Sequence, residues 1–197
     1  MNAPNLEQFE VWPKIPRLRN EIVTITEKLD GTNAQVCITP DGKVLAGSRN
    51  RWLGAVDEKT GKIQENYGFH AWVQENKEQL KGLGVGRHYG EWWGFGIGPR
   101  GYGLPDKRLA LFNTFRPKDS LPSCVGQVPV LYQGPGLELS RIVSELIEKL
   151  KREGSVAAPG YMRPEGLVVY SSLTKSRYKV LCENDDKPKD GPSPEEK

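Results

Sequence analysis

The chain has 197 residues and a formal net charge of +3. That is enough for one domain, or two small ones, with a substantial core, and the charge permits nucleic-acid binding without requiring it. Cys37, Cys124 and Cys182 are odd in number and share no metal-ligand spacing with His70 or His88, which argues against a disulfide framework or a zinc site. No apolar run is long enough to span a bilayer and the N-terminus lacks the order of a signal peptide, so a soluble, cytoplasmic protein with no membrane partner is expected.

In chain order, residues 1–20 mix Pro4, Pro13 and Pro16 with Phe9 and Trp12, which suggests an extended arm packed by its aromatics. The alternation Ile22-Val23-Thr24-Ile25-Thr26 predicts a half-buried strand. Segments 34–38 and 43–46 flank Thr39-Pro40-Asp41-Gly42 and predict a hairpin, because proline presets the turn and glycine accepts positive φ. Residues 55–68 read as a loop, and 69–80 as a helix stopped by Gly82 and Gly84. Strands are expected at 88–93 and 108–112, with a flexible loop rich in glycine, proline and aromatics between them. A short strand follows at 128–132, where Pro129 favours an edge or a strand start. Leu139, Ile142, Val143, Leu146, Ile147 and Leu150 form one stripe and predict a helix over 137–152, free to pack inward or to join two chains. Strands at 166–170 and 177–181 complete an α+β order, and the charged segment 184–197 is expected to be a disordered tail.

Chemistry concentrates first in Lys28-Leu29-Asp30-Gly31-Thr32-Asn33, at the end of the first strand. A strand ending in an Asp-Gly turn carries a lysine ammonium to the lip of a cleft, where burial or nearby cations can make it a nucleophile. Taken singly, the other polar residues have plainer readings. Glu91 beside Trp92-Trp93 could face water, Phe112 could be core, Glu165 could be a solubilising strand end, and Lys179 could be a surface alternation residue. Gly96-Ile97-Gly98-Pro99-Arg100-Gly101 fits a dinucleotide-binding glycine pattern but lacks the following helix, so it reads as a loop with solvated charges.

In their order along the chain these segments resemble the covalent nucleotidyltransferase superfamily of ATP-dependent polynucleotide ligases and mRNA capping enzymes, with the RNA ligases nearest. Lys28-Leu29-Asp30-Gly31-Thr32-Asn33 is similar to motif I, and Ser48-Arg49-Asn50 to the short block after the hairpin. Gly90-Glu91 is similar to motif III, Leu111-Phe112 to motif IIIa, Glu165-Gly166-Leu167-Val168-Val169 to motif IV, and Arg177-Tyr178-Lys179 to motif V. Any one block is weak evidence, whereas six in order are strong.

The resemblance implies a nucleotidyltransferase core of antiparallel sheets flanked by helices over 1–183, with no OB-fold domain. It implies that Lys28 takes AMP from ATP, passes it to a 5′-phosphate, and that a 3′-hydroxyl then displaces it, sealing RNA ends in single strands or a nicked duplex. Lys28, Glu165 and Lys179 would be catalytic, with Glu165 organising Mg2+ or Mn2+. Arg49, or Arg51 in its place, would touch ribose or phosphate, and Glu91 would accept from the ribose hydroxyl. Phe112, or Phe115, would stack on the purine, Glu27 would lie near the base edge, and Asn33 would hold the substrate end. Arg177 stands where the family usually has a lysine, keeping the charge but as a planar fork. A minimal DNA ligase, a capping nucleotidyltransferase and a non-catalytic nucleic-acid-binding protein are the alternatives.

Overall fold

The computed structural model describes Phe9, residues 11–183 and Asp185; the expected tail otherwise lies outside the described residues. The chain is α+β, with two sheets. β1 (Ile22–Lys28), β7 (Val130–Pro135), β8 (Gly166–Ser171) and β9 (Arg177–Leu181) form the first sheet, in the order β7-β1-β8-β9 and antiparallel throughout. β2 (Thr32–Ile38), β3 (Val44–Gly47), β4 (Gly86–Gly94), β5 (Lys107–Leu111) and β6 (Val125–Gln127) form the second, in the order β3-β2-β4-β5-β6.

Each sheet packs one face against helices. In the first, alternation sends Val23, Ile25, Leu167 and Val169 to one side, where they meet Ile142, Ile147 and Leu150 of α3 (Leu139–Glu153). The stripe of that helix is thus used inward, within the chain. In the second sheet, Ala34, Val36, Trp92, Leu109 and Leu111 pack with Phe69 and Val73 of α1 (Phe69–Glu75) and Leu80 of α2 (Lys77–Leu80). A third cluster, including Leu29, Trp93, Tyr102, Ala110 and Val128, fills the space where the sheets approach.

Four expectations need correction. The helix over 69–80 is broken at Asn76, whose side-chain amide donates to the Trp72 carbonyl at 2.8 Å and competes with continued helix. The segment around Val128-Pro129 is two short strands flanking the proline, which has no N–H to give a ladder. The first of these, β6, pairs with β5 in parallel, so the second sheet is not wholly antiparallel. The aromatics of the N-terminal arm do not pack it: Phe9 and Trp12 are exposed. Among the described residues no helix is long and apolar enough to cross a membrane, and all three cysteines are free thiols.

Gly166 opens β8, an inner strand of the first sheet, facing Lys28 on β1 and Leu181 on β9, so that three strands meet at its backbone. Its φ is +153°, and a Cβ there would run into the Val180 carbonyl oxygen. Gly166→Ala is expected to cost about 2 kcal/mol or more, read as a lowered denaturant midpoint at unchanged slope.

Candidate active site

Lys28 is the last residue of β1, and Glu165 immediately precedes β8, the strand paired with β1. The ladder therefore brings two residues 137 apart in sequence side by side, with Lys28 Nζ donating to Glu165 Oε2 at 2.7 Å. Lys28 shares its sheet face with Thr26 and Thr24, since successive side chains alternate. Across the ladder Thr26 opposes Val168, which opposes Lys179, and Thr24 opposes Tyr170, which opposes Arg177. Lys179 and Arg177 thus lie on the Lys28 face, farther along β9. The Arg177 guanidinium lies over the Tyr170 ring at 5.2 Å.

The opposing wall is the open face of the second sheet. Asn33 on β2 pairs with Glu91 on β4, which pairs with Ala110 on β5, so these three form one row. Glu91 Oε1 accepts from the Gly31 amide at 3.2 Å. Burial pushes its carboxyl up to about 7; the Lys28 ammonium pulls the other way, and Glu165 and Asp30 add to the rise. Asn33 Oδ1 accepts from Arg49 Nε at 2.7 Å. Arg49 and Arg51 line a cleft of about 260 Å³ with Thr32, Ser48, Asn50 and Asn66. Phe112 follows β5 on the same wall and is 41% exposed, so it is not core. Phe115 instead meets the Tyr170 ring edge-on at 6.5 Å.

The Glu27 side chain departs from expectation. It is 1% exposed and lies on the helix-facing side of β1, opposite to Lys28. Its carboxylate accepts from Ser155 Oγ and from the Val156 and Ala157 amides, both at 2.9 Å. Burial raises this carboxyl against those three donors. It clamps the segment after α3 to β1 and does not reach the cleft.

Two residues of the glycine-rich loop adjoin the site, Arg100, which the sequence made look solvated, and Tyr102, which it did not single out. Arg100 Nη1 donates to Asp30 Oδ2 at 2.7 Å, and its Nε donates to the Arg163 carbonyl at 3.1 Å. It ties the turn two residues past Lys28 to the segment two residues before Glu165. Tyr102, buried and at φ +55°, accepts from the Asp30 amide at 2.7 Å and packs against Trp93 and Tyr161. Through these two residues the loop is anchored to the turn after β1. Nothing in the local sequence announces Arg100, whose partners lie 70 and 63 residues away.

The family model described as RNA ligase matches residues 21–181. The chain belongs to the RNA ligase family. Solved structures of Naegleria gruberi RNA ligase share the fold. A variant with ATP and Mn matches at TM-score 0.59 and 18% identity over 84% of this chain and 51% of that one. An apo variant matches at TM-score 0.58 and 21% identity over 83% and 50%. This RNA ligase family member spans about half the length of those chains. A search of curated proteins finds no match.

As a metal site the arrangement is open. Among the described residues no group of three or more His, Cys, Asp or Glu forms a cage. The carboxylates of Glu165 and Glu91 beside Lys28 are nevertheless the hard donors that magnesium or manganese accepts when phosphate and water complete the shell.

The raised Glu91 carboxyl means the folded state binds that proton more tightly than the unfolded one. Its contribution to stability is present below the ordinary value of 4.5 and is lost as pH rises toward about 7. Glu91→Gln should therefore raise the melting temperature relative to wild type above about pH 7, with the gain shrinking toward pH 4.5. Separately, Arg100→Ala leaves the half-buried Asp30 carboxylate without its cation and should cost about 2 to 3 kcal/mol. A double-mutant cycle with Asp30→Ala should return a coupling of about 1 kcal/mol or more.

Proposed function

We propose that this chain is an ATP-dependent RNA ligase that works through a covalent AMP on Lys28. The observation that carries the reading is the 2.7 Å pairing of Lys28 with Glu165, facing Glu91 across the cleft, in a member of the RNA ligase family. Use of ATP and a divalent cation is supported by the related Naegleria gruberi structures solved with ATP and Mn.

On this reading the Lys28 amine attacks the α-phosphorus of ATP, the bond to the bridging oxygen breaks, and pyrophosphate leaves with its electron pair. Before attack Nζ must shed a proton, and Glu165 Oε2 is positioned to take or direct it. Glu165 would hold a divalent cation, which would supply positive charge against the phosphates. Glu91 accepts from the ribose hydroxyl, Phe112 stacks on the purine, and Arg49, oriented by Asn33, meets ribose or phosphate. Lys179 and Arg177 add positive charge along β9 for the phosphates. A 5′-phosphate oxygen of RNA then attacks the same phosphorus, and the N–P bond breaks to restore the lysine. Finally a 3′-hydroxyl oxygen attacks the activated 5′-phosphorus, AMP departs, and the hydroxyl proton is lost to a base or solvent.

Intact-mass spectrometry after incubation with ATP and magnesium tests the first step. Wild type should gain one AMP, while Lys28→Ala and Lys28→Arg should not, because arginine stays protonated and cannot attack. No gain in folded wild type would defeat the covalent reading and leave a ligase-shaped binding module. A gain in either variant would move the nucleophile elsewhere.

A further inference from the structure

The motif residues occupy only part of the open face of the second sheet. One row outward from Asn33–Glu91–Ala110, the ladder places Phe112, Tyr89, Gln35 and Gly47 in line across β5, β4, β2 and β3. Gly47 bridges to Trp52, whose ring lies over it, so that a Cβ on Gly47 would come within 3.2 Å of the indole. A second row outward begins at Arg87, whose guanidinium lies 5.3 Å from the Trp52 ring centroid. Neighbouring strands are about 4.8 Å apart and alternate residues about 6.8 Å along a strand. The whole array therefore continues the catalytic wall without a break.

Three features of this face set it apart from a solvated sheet. Tyr89 is 53% exposed and Trp52 42% exposed, and both stand on the same side as Glu91. Burial alternates strictly along β4 here, with Arg87 and Tyr89 outward while His88 and Gly90 turn inward. Among the described residues, neither Arg87 nor Arg49 makes a carboxylate ion pair: Arg87 lies over the Trp52 ring and Arg49 Nε donates to Asn33 Oδ1. Exposed rings beside arginines without carboxylate partners form a surface complementary to bases and phosphates together.

We propose that Trp52, Tyr89 and Arg87 form a stacking platform for an unpaired ribonucleotide strand leading into the nucleotide cleft. The inference rests on the ligase reading above and deepens it by naming the form of the substrate. Aromatic rings lying on a sheet take base faces, and only unpaired bases have a face to offer; in a duplex those faces are buried in the stack. Tyr89 and Trp52 hold successive bases by their rings, Gln35 between them meets base edges, and Arg87 and Arg49 meet the backbone. A continuous duplex would use the arginines and leave the rings idle.

The test uses the full chain and a fluorescein-labelled oligoadenylate of about 12 nucleotides, with the same strand annealed to its complement as comparison. Trp52→Ala and Tyr89→Ala should each weaken single-strand binding about fivefold or more, whereas Trp52→Phe and Tyr89→Phe should keep most of it. Arg87→Ala should lower the salt slope by about 0.7. AMP transfer to Lys28, read by intact mass, should be unchanged in all of these variants. Unchanged binding in both alanine variants, or duplex binding that depends on the rings as strongly as single-strand binding, would overturn the proposal. If ring-dependent binding holds but wild type takes no AMP, the platform stands and the ligase reading falls.

Discussion

The site depends on the shortness of one crossing. β1 ends at Lys28 in one sheet and β2 begins at Thr32 in the other, so three residues carry the chain between them. Each is anchored. Leu29 is buried in the cluster between the sheets. Asp30 is held through its side chain by Arg100 and through its amide by Tyr102. Gly31 donates to Glu91, and a Cβ there would run into the Trp92 carbonyl oxygen and sit 2.8 Å from Trp93 Cβ. Backbone so short and so held leaves Lys28 little freedom relative to Glu91, which is the constraint a reaction needing near-attack geometry places on its nucleophile.

The same crossing sets the electrostatics. Glu165 and Asp30 lie close enough to Glu91 to raise its cost of ionisation, and two cations sit on these neighbours, Lys28 on Glu165 and Arg100 on Asp30. Glu91 has an amide and no ion-paired cation of its own, and burial raises its carboxyl. Lys28, the nucleophile on the proposed reading, is thus half of an ion pair, with one carboxylate beyond it raised by burial to about 7.

Much of this was legible in the sequence for physical reasons. The alternation at 22–26, the Thr39–Gly42 turn and the stripe at 139–150 arise from periods set by the backbone itself, and each appears as an element where expected. Lys28, Glu91 and Glu165 stood out because spacing and residue type travel together in a motif. Asn76 was opaque because a side chain bonding its own backbone leaves no trace in hydrophobic period. Glu27 misled because adjacency to Lys28 in sequence is opposition across a strand. Arg100 and Tyr102 were invisible because their partners come from Asp30 and the segment before Glu165, through contacts that only tertiary structure creates.

The second sheet also divides its open face by distance from the crossing. Near it, at Glu91 and Asn33, polar groups are half-buried and accept hydrogen bonds from the Gly31 amide and Arg49 Nε. Farther out, at Tyr89, Trp52 and Arg87, the groups are exposed, where stacking and charge contacts are individually modest and screened by salt. On the proposed ligase reading, a catalyst that must hold a phosphorus to a fraction of an ångström and then let go of a long strand needs both regimes. Enclosure of the outer row would tighten the grip on the strand and slow its release, while exposure of the inner row would weaken every interaction on which the transfer depends. On that reading, the gradient from buried to open along β4 lets one strand serve both demands.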